Sequence, residues 1–287
     1  MAEDDSTTKS LRDRFFEIAE SAIGAPATAE RPKPEQLGLW PDDLRGCPNV
    51  MLRAALFSAA KPRKLRKLYR DQELPAAIGT KTITYTGPQL YQFELDVWLE
   101  AIHRCRLRPA GVETDFHARG FLRSLRRSDG KANYKQLLAT LGLLHATSVQ
   151  VIPEDPSKQG YRGHLLEACR FDQDLLRYRV SVNPELAELF VPKEHTWLHL
   201  DARLDLGKNY LAKWCHGYFS SHRKPHPIGV QRLHELSGSA NTVLRDFRRS
   251  LREALAEIAR VEKSHRRRFE WRIDEADQVH VVRQSDN

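Results

Sequence analysis

The chain has 287 residues, a length typical of two domains. Lys and Arg number 46 against 38 Asp and Glu, and the net charge of +8 favours a polyanionic partner, nucleic acid before an anionic membrane. A polar, acidic N-terminus and the lack of a long apolar run predict a cytoplasmic protein with no signal peptide, membrane span or membrane partner. The four cysteines lack the C-x-x-C spacing of zinc and redox motifs, which predicts buried, reduced thiols.

Residues 1–43 are predicted to form an N-terminal appendage and linker. Apolar side chains from Leu11 to Ala22 recur at three- and four-residue steps, which indicates a short helix. Residues 24–34 contain three prolines and are typical of a linker. The helix either rests on the body of the protein or docks a partner.

A first domain is predicted over residues 44–182. The apolar pattern predicts helices at 50–60, 88–106 and 131–145 and a strand at 82–85. Alternating runs that predict further strands follow at 147–152, 165–171 and 177–182. Residues 61–70 hold six basic and no acidic residues, so they form either a solvated loop or a phosphate contact.

A second domain, residues 183–287, repeats this layout of helices followed by a hairpin. Helices are predicted at 183–190, 204–220, 228–236 and 242–261, with a Ser237-Gly238-Ser239 turn before the last one and strands at 269–273 and 279–283. The sequence therefore predicts an α+β, mostly helical fold with two tandem winged-helix (helix-turn-helix) domains and β-hairpin wings.

The last predicted helix has two distinct faces. Five apolar side chains from Leu244 to Ile258 form one stripe, and four arginines at steps of three and four residues share another face. Ser239 or Asn241 is expected to cap this helix. Because arginine suits both phosphates and guanine edges, we predict DNA binding here rather than a merely solvated face. The predicted DNA-binding residues of this domain are Asn241, Thr242, Arg245, Arg248, Arg249, Arg252, Arg266, Arg267 and Arg268.

The corresponding helix of the first domain begins with four polar side chains, Lys131, Asn133, Lys135 and Gln136. Asn and Gln can bind adenine through two hydrogen bonds, and Lys reaches phosphates or guanine. These four residues are the predicted DNA contacts of the first domain.

Catalytic and metal motifs are absent from the sequence. His195 and His199, like His222 and His226, are four residues apart but have no well-placed third ligand, and prolines interrupt the second pair. No phosphate-binding loop or nucleophile elbow is present. The sequence therefore predicts a protein that is not an enzyme and holds no metal or cofactor.

Several segments in matching order resemble TrfA-type plasmid replication initiators. The resemblance spans roughly residues 36–284, and its clearest match is Tyr218–Arg223 followed by two prolines. Other matching segments are Trp40–Asp43, Arg45–Asn49, Arg53–Phe57, Ile83–Gly87 and Leu144–Thr147.

The resemblance implies a function and a set of partners. Such proteins bind repeated iterons in double-stranded origin DNA as monomers and help to open an adjacent AT-rich segment, with single-stranded DNA as a further partner. They recruit the host DnaA, the replicative helicase and the sliding clamp, and dimerise into an inactive form that limits copy number.

The family also carries a glutamine-led clamp-binding pentapeptide. Here Gln36, Leu37 and Leu39 match it, whereas Gly38 departs from it and Trp40 supplies an aromatic at the last position. The alternative is that Leu39 and Trp40 pack against the first domain.

Two other functions remain open at the level of sequence. One is a transcription regulator with tandem winged helices, and the other is a non-catalytic adaptor that uses winged helices for protein contacts. Repeated sites next to an AT-rich tract near the gene would favour the initiator.

Overall fold

The structure is a computed structural model that describes residues 37, 40–77, 81–153, 160–172, 175–190 and 193–284. The predicted N-terminal helix and its linker lie outside these residues. Within them the fold is α+β, as the sequence predicts.

The described α-helices are α1 (Asn49–Leu52), α2 (Gln92–Cys105), α3 (Ala118–Ser124), α4 (Lys131–Ala146), α5 (Leu200–Asp205), α6 (Tyr210–Ser220), α7 (Val230–Ser237) and α8 (Leu244–Ser264). A 3₁₀ helix spans Pro184–Phe190. The strands are β1 (Leu44–Pro48), β2 (Phe57–Ser58), β3 (Leu68–Leu74), β4 (Thr82–Pro88), β5 (Leu90–Tyr91), β6 (Thr114–His117), β7 (Ser148–Ile152), β8 (Tyr161–Gly163), β9 (Ala168–Asp172), β10 (Arg177–Ser181), β11 (His195–His199), β12 (Ile228–Gly229), β13 (Phe269–Ile273) and β14 (Gln278–Arg283).

One order of elements occurs twice. In the first unit, α2 is followed by β6, α3, α4 and the hairpin β9–β10, and the strands pair in the order β6-β10-β9. Strands β7 and β8 are inserted between α4 and this hairpin, and they belong to a separate sheet of order β3-β4-β7-β8. In the second unit, α6 is followed by β12, α7, α8 and the hairpin β13–β14, paired in the order β12-β14-β13. In both units the strand before the second helix therefore pairs with the last strand of the hairpin.

Each unit has its own hydrophobic core. The second core is built on α8, where Phe247, Leu251, Leu255 and Ile258 are fully buried, which confirms the predicted apolar stripe. The first core extends further along the chain than the predicted boundary at residue 182, because Leu186, Leu189 and Leu198 belong to it. The domain bounds 44–182 and 183–287 stay predictions.

A buried ion cluster joins the two units. Asp96 on α2 accepts hydrogen bonds from Arg203 Nε at 2.6 Å and from Lys213 Nζ at 2.5 Å. Arg203 also donates to Gln92 Oε1 at 2.8 Å. All four side chains are buried, so these contacts tie α2 of the first unit to α5 and α6.

Two predicted helices differ from the observed elements. The segment 50–60 forms only the short α1 and the strand β2. The segment 204–220 is divided at Gly207, whose φ of +56° ends one helix, and Asn209 caps the next by accepting from the Ala212 amide at 3.0 Å.

Candidate nucleic-acid interface

The turn between α7 and α8 is held by local contacts and by the first unit. Gly238 ends α7 in the left-handed region with φ +57°, and the Ser58 hydroxyl donates to its carbonyl at 2.7 Å. The His234 ring contacts the Asn241 carbonyl at 2.7 Å and lies against Phe247. The predicted turn at Ser237-Gly238-Ser239 is therefore confirmed, and it fixes the direction in which α8 leaves.

The predicted cap of α8 is wrong. The helix begins at Leu244, and its N-cap residue Val243 makes no side-chain cap. Asn241 instead donates from its side chain to Ser250 at 3.4 Å, while its amide donates to Ser239. In place of a side-chain cap, the Val243 carbonyl accepts from the amides of Asp246 and Phe247 at 3.1 Å each.

The four arginines of α8 differ in what they contact. The side chains of Arg245 and Arg249 are 85% and 73% exposed, and each lies 3.8 Å from the Asp246 carboxylate. Arg252 is exposed as well. Arg248 instead forms a two-point ion pair with Asp277 at the tip of the hairpin, with distances of 2.8 and 2.6 Å. Three arginines thus project outward, whereas the fourth fastens the hairpin to α8.

Arg266, Arg267 and Arg268 lie at the opposite end of α8 from Arg245. The helix has 21 residues, and at a rise of about 1.5 Å per residue its ends are roughly 30 Å apart. These three arginines stand at the base of the hairpin, away from its tip at 274–277. That these three arginines hold a DNA backbone near the wing stays a prediction.

Two of these three arginines also have carboxylate partners. Arg267 Nε donates to Glu262 at 2.5 Å, and Arg268 forms an ion pair with Glu270 at 2.8 Å. Burial alone would raise the pKa of Glu262, but the contacts with His216 and Arg267 outweigh it and lower that pKa to about 2. Arg267 therefore serves the packing of the second unit.

The start of α4 presents a smaller basic surface. Lys131, Lys135 and Gln136 are exposed. The Asn133 amide donates to the Ser128 carbonyl and hydroxyl, so it holds the turn before α4. Three of the four predicted DNA contacts of this helix are thus exposed, whereas Asn133 has a local partner. Gln136 has one as well, because its side-chain oxygen accepts from Arg127 at 2.7 Å.

The hairpin β9–β10 carries basic residues that the sequence analysis did not single out. Arg170 and Arg179 are directly opposite each other in the register, and their side chains are 73% and 60% exposed. Their nearest carboxylates, Glu113 and Asp115, lie at 3.2 and 3.9 Å. The alternation of β10 contained this signal, since it places Arg177 and Arg179 on one face.

Leu37 and Trp40 are buried in the first core, 2% and 6% exposed. The Trp40 indole donates to His103 at 3.0 Å, and its ring lies parallel to Phe190. Gln36 and Leu39 lie outside the described residues. In the structure Trp40 thus packs against the first domain. Clamp binding stays a prediction, and it would require Trp40 to leave the first core.

The described residues contain no cluster of three or more His, Cys, Asp or Glu side chains that could hold a metal ion. His195 and His199 lie on strand β11, so their four-residue spacing is not helical. The four cysteines are free, and Cys169 is less buried than the other three. In the described part of the chain, no helix is long and apolar enough to cross a bilayer.

Comparison with known proteins places the chain in a family. The model of the family described as TrfA protein matches residues 34–282. This chain belongs to the TrfA protein family. The resemblance noted in the sequence is thereby confirmed, and the matched residues cover both units described above except Arg283, the last residue of β14.

Individual relatives are more distant. The plasmid replication initiator protein TrfA of Escherichia coli is 25% identical over 242 residues, which cover 80% of this chain and 62% of that protein. This TrfA family member thus spans less than two thirds of the relative's length. A crystal structure of domains 2 and 3 of RctB matches with a TM-score of 0.54 at 14% identity, covering 84% of this chain and 99% of that one. At that identity the match shows a shared fold.

Proposed function

We propose that this chain initiates plasmid replication by binding iterons in origin DNA through two winged-helix units. The observation that carries the proposal is the repeated order of helix, strand, helix, helix and hairpin, with one strand order in both units. In helix-turn-helix proteins the helix after the turn enters the major groove. Helices α4 and α8 occupy that position, and exposed basic side chains stand in their first turns. Membership of the TrfA family supports the role in replication.

The two recognition helices bind one side of the duplex. Recognition helices placed one helical turn apart contact sites about 10 base pairs apart, so one chain protects about 20 base pairs. Arg245, at the start of α8, is the residue we assign to base contact, with Thr242 beside it on a phosphate or a thymine methyl. Arg249 and Arg252 bind phosphates along the same groove.

Beyond origin binding, we propose the family's further steps for this chain. It opens an adjacent AT-rich segment, binds the exposed single strand, and recruits host DnaA, the replicative helicase and the sliding clamp. The monomer is active and the dimer is inactive, which limits copy number. The chain itself supplies no catalytic group and uses no cofactor.

Replication in a host tests the proposal. A plasmid whose only origin is the region carrying this gene should be maintained with the intact gene and lost when the gene is disrupted. Arg245→Ala should weaken binding to the preferred duplex about tenfold or more and relax base preference at one position. Maintenance without the gene would reject the initiator role, and a transcription regulator with the same fold would then be favoured.

A footprint on purified protein provides a separate test. We expect about 20 protected base pairs per monomer. Protection of about half that length would mean that only one unit contacts DNA.

A further inference from the structure

The basic segment Lys61–Leu65 leaves the body of the protein beside the turn that precedes α8. The Ala59 amide donates to the Ser237 carbonyl at 2.8 Å, and Ser58 donates to Gly238. Ala59 itself is packed in the second core. Ala59, two residues before the segment begins, is therefore fixed to the helix-turn-helix of the second unit.

The same segment also lies beside the helix-turn-helix of the first unit. Pro62 lines a cavity of about 390 Å³ together with Arg127 and Gln136, which belong to the turn before α4 and to α4 itself. From Ser58 to Pro62 the chain can span at most about 14 Å, because an extended chain covers about 3.6 Å per residue. A short stretch thus runs from one helix-turn-helix to the other.

The far end of the segment is anchored as well. Arg66 donates to the Gln89 carbonyl at 2.7 Å and to Glu94 at 2.9 Å, and its guanidinium lies over the Tyr91 ring. The Lys67 carbonyl accepts from the Gln89 amide at 2.8 Å. Lys61–Leu65 is therefore a short exposed stretch held at both ends, which lowers the entropy lost when it binds.

The cations of this stretch have no counter-charge in the described part of the chain. Lys61, Arg63 and Lys64 are exposed, and no described carboxylate is within ion-pair distance of them. The Leu65 side chain is 89% exposed and is not part of either hydrophobic core. Three unpaired cations in four residues would repel one another, so the stretch is best suited to a partner with closely spaced negative charges.

We propose that Lys61, Arg63 and Lys64 bind the backbone phosphates of the duplex between the two major-groove contacts. Two recognition helices on one side of B-DNA are separated by about one helical turn, and the minor groove between them presents two rows of phosphates. A segment that lies between the two helix-turn-helix elements faces those rows. This inference rests on the proposed DNA-binding function, and it adds a third contact that positions both units without reading sequence.

The test uses the full chain and a duplex of about 25 base pairs that the wild-type chain selects from a random library, beside a scrambled duplex. Affinity is measured over a range of salt concentrations. Arg63→Gln with Lys64→Gln should reduce the salt slope by about two units, since each lost phosphate contact removes about 0.9. Both duplexes should be affected equally, because phosphates carry no sequence information.

The matched control removes one Arg and one Lys far from the segment. Arg260 and Lys263 are exposed in the last turns of α8, about 24 Å or more from its start at 1.5 Å per residue. Arg260 pairs with Glu257 at 2.7 Å on the surface, so this double variant matches the net charge removed but not the absence of a partner. Arg260→Gln with Lys263→Gln should change the slope by less than half as much. Circular dichroism and thermal unfolding should be unchanged in both variants, because all four side chains are exposed.

Phosphate ethylation interference locates the contact. With wild-type protein, ethylation of phosphates between the two protected major grooves should block binding, and the Arg63 and Lys64 variant should lose that sensitivity. Equal slope changes in the variant and the control, or unchanged interference, would overturn the proposal while leaving the recognition helices intact. Failure of the wild-type chain to select any duplex would instead overturn the proposed function.

Discussion

Replacing Asp96 by Asn tests whether the buried ion cluster holds the two units together. The substitution preserves shape but removes the negative charge that faces Arg203 and Lys213. The three side chains are 4%, 0% and 7% exposed, so water cannot replace the lost charge. Burial alone would raise the pKa of Asp96, but its two cationic partners outweigh it, and the group is ionised in the folded protein.

The magnitude follows from leaving buried cations without a partner. Breaking such a pair from one side costs about 3–5 kcal/mol. For a protein of this size that corresponds to a fall in the unfolding temperature of roughly 10 °C. Thermal unfolding followed by circular dichroism at pH 7 measures it directly.

Asp201→Asn is the matched control. Asp201 forms an ion pair with Arg126 at 2.9 Å, but the two side chains are 61% and 49% exposed. Exposed pairs contribute about 0–1 kcal/mol, so the unfolding temperature should move little. If Asp96→Asn lowers it no more than Asp201→Asn does, the cluster does not stabilise the contact between the units.

Three further predictions follow from single contacts. Asp277→Asn removes the carboxylate that pairs with Arg248, which leaves Arg248 able to bind a phosphate. The salt slope of DNA binding, measured by fluorescence anisotropy, should then steepen by up to about one unit. An unchanged slope would contradict this prediction. Gly238→Ala places a side chain at φ +57° and should cost about 1–2 kcal/mol in chemical denaturation, whereas Gly120→Ala, within α3 and with open space around it, should not destabilise. Burial lowers the pKa of His222 to about 4, so the unfolded state binds the proton first as the pH falls below about 6.5. Stability should therefore decline from about pH 6.5 to pH 4, by at most about 1.4 kcal/mol per pH unit from this group, and His222→Gln should flatten a denaturation series taken across that range.

The elements that the sequence predicted well are those whose pattern is local. Helices α2, α4 and α8 each have an apolar stripe at helical spacing, and the hairpin β13–β14 alternates. Their bounds agree with the prediction to within a few residues. In these segments the side that must be buried can be identified without knowing what covers it.

Elements that depend on distant partners were missed. Strand β1 pairs with β11, so Leu44 lies opposite His199, and neither strand has a local signal that it will be paired. The apolar run 50–60 predicts one helix, because a continuously apolar run does not reveal its period. It breaks up because Ser58 turns toward Gly238 in the other unit.

The candidate site shows the same division between local and distant information. Helical periodicity correctly grouped the four arginines of α8 on one side, but it gave no sign that Arg248 would pair with Asp277, 29 residues away. Nor does a count of basic residues reveal that Arg267 faces Glu262. Sequence therefore locates cations, whereas their availability depends on carboxylates brought close by the fold.

That distinction sets how strongly DNA binding should depend on salt. A cation already paired with a carboxylate releases no counterion from DNA unless the pair is first broken, so it contributes little to the salt slope. On this basis the exposed Arg252 contributes, and so do Arg245 and Arg249, whose contacts with Asp246 are long, at 3.8 Å each, and exposed to solvent. Arg267 and Arg268, with carboxylates at 2.5 and 2.8 Å, contribute less. In the proposed binding mode, the exposed cations of the segment Lys61–Leu65 matter more than their position in a loop suggests, because they have no ion pair to break before they bind phosphate.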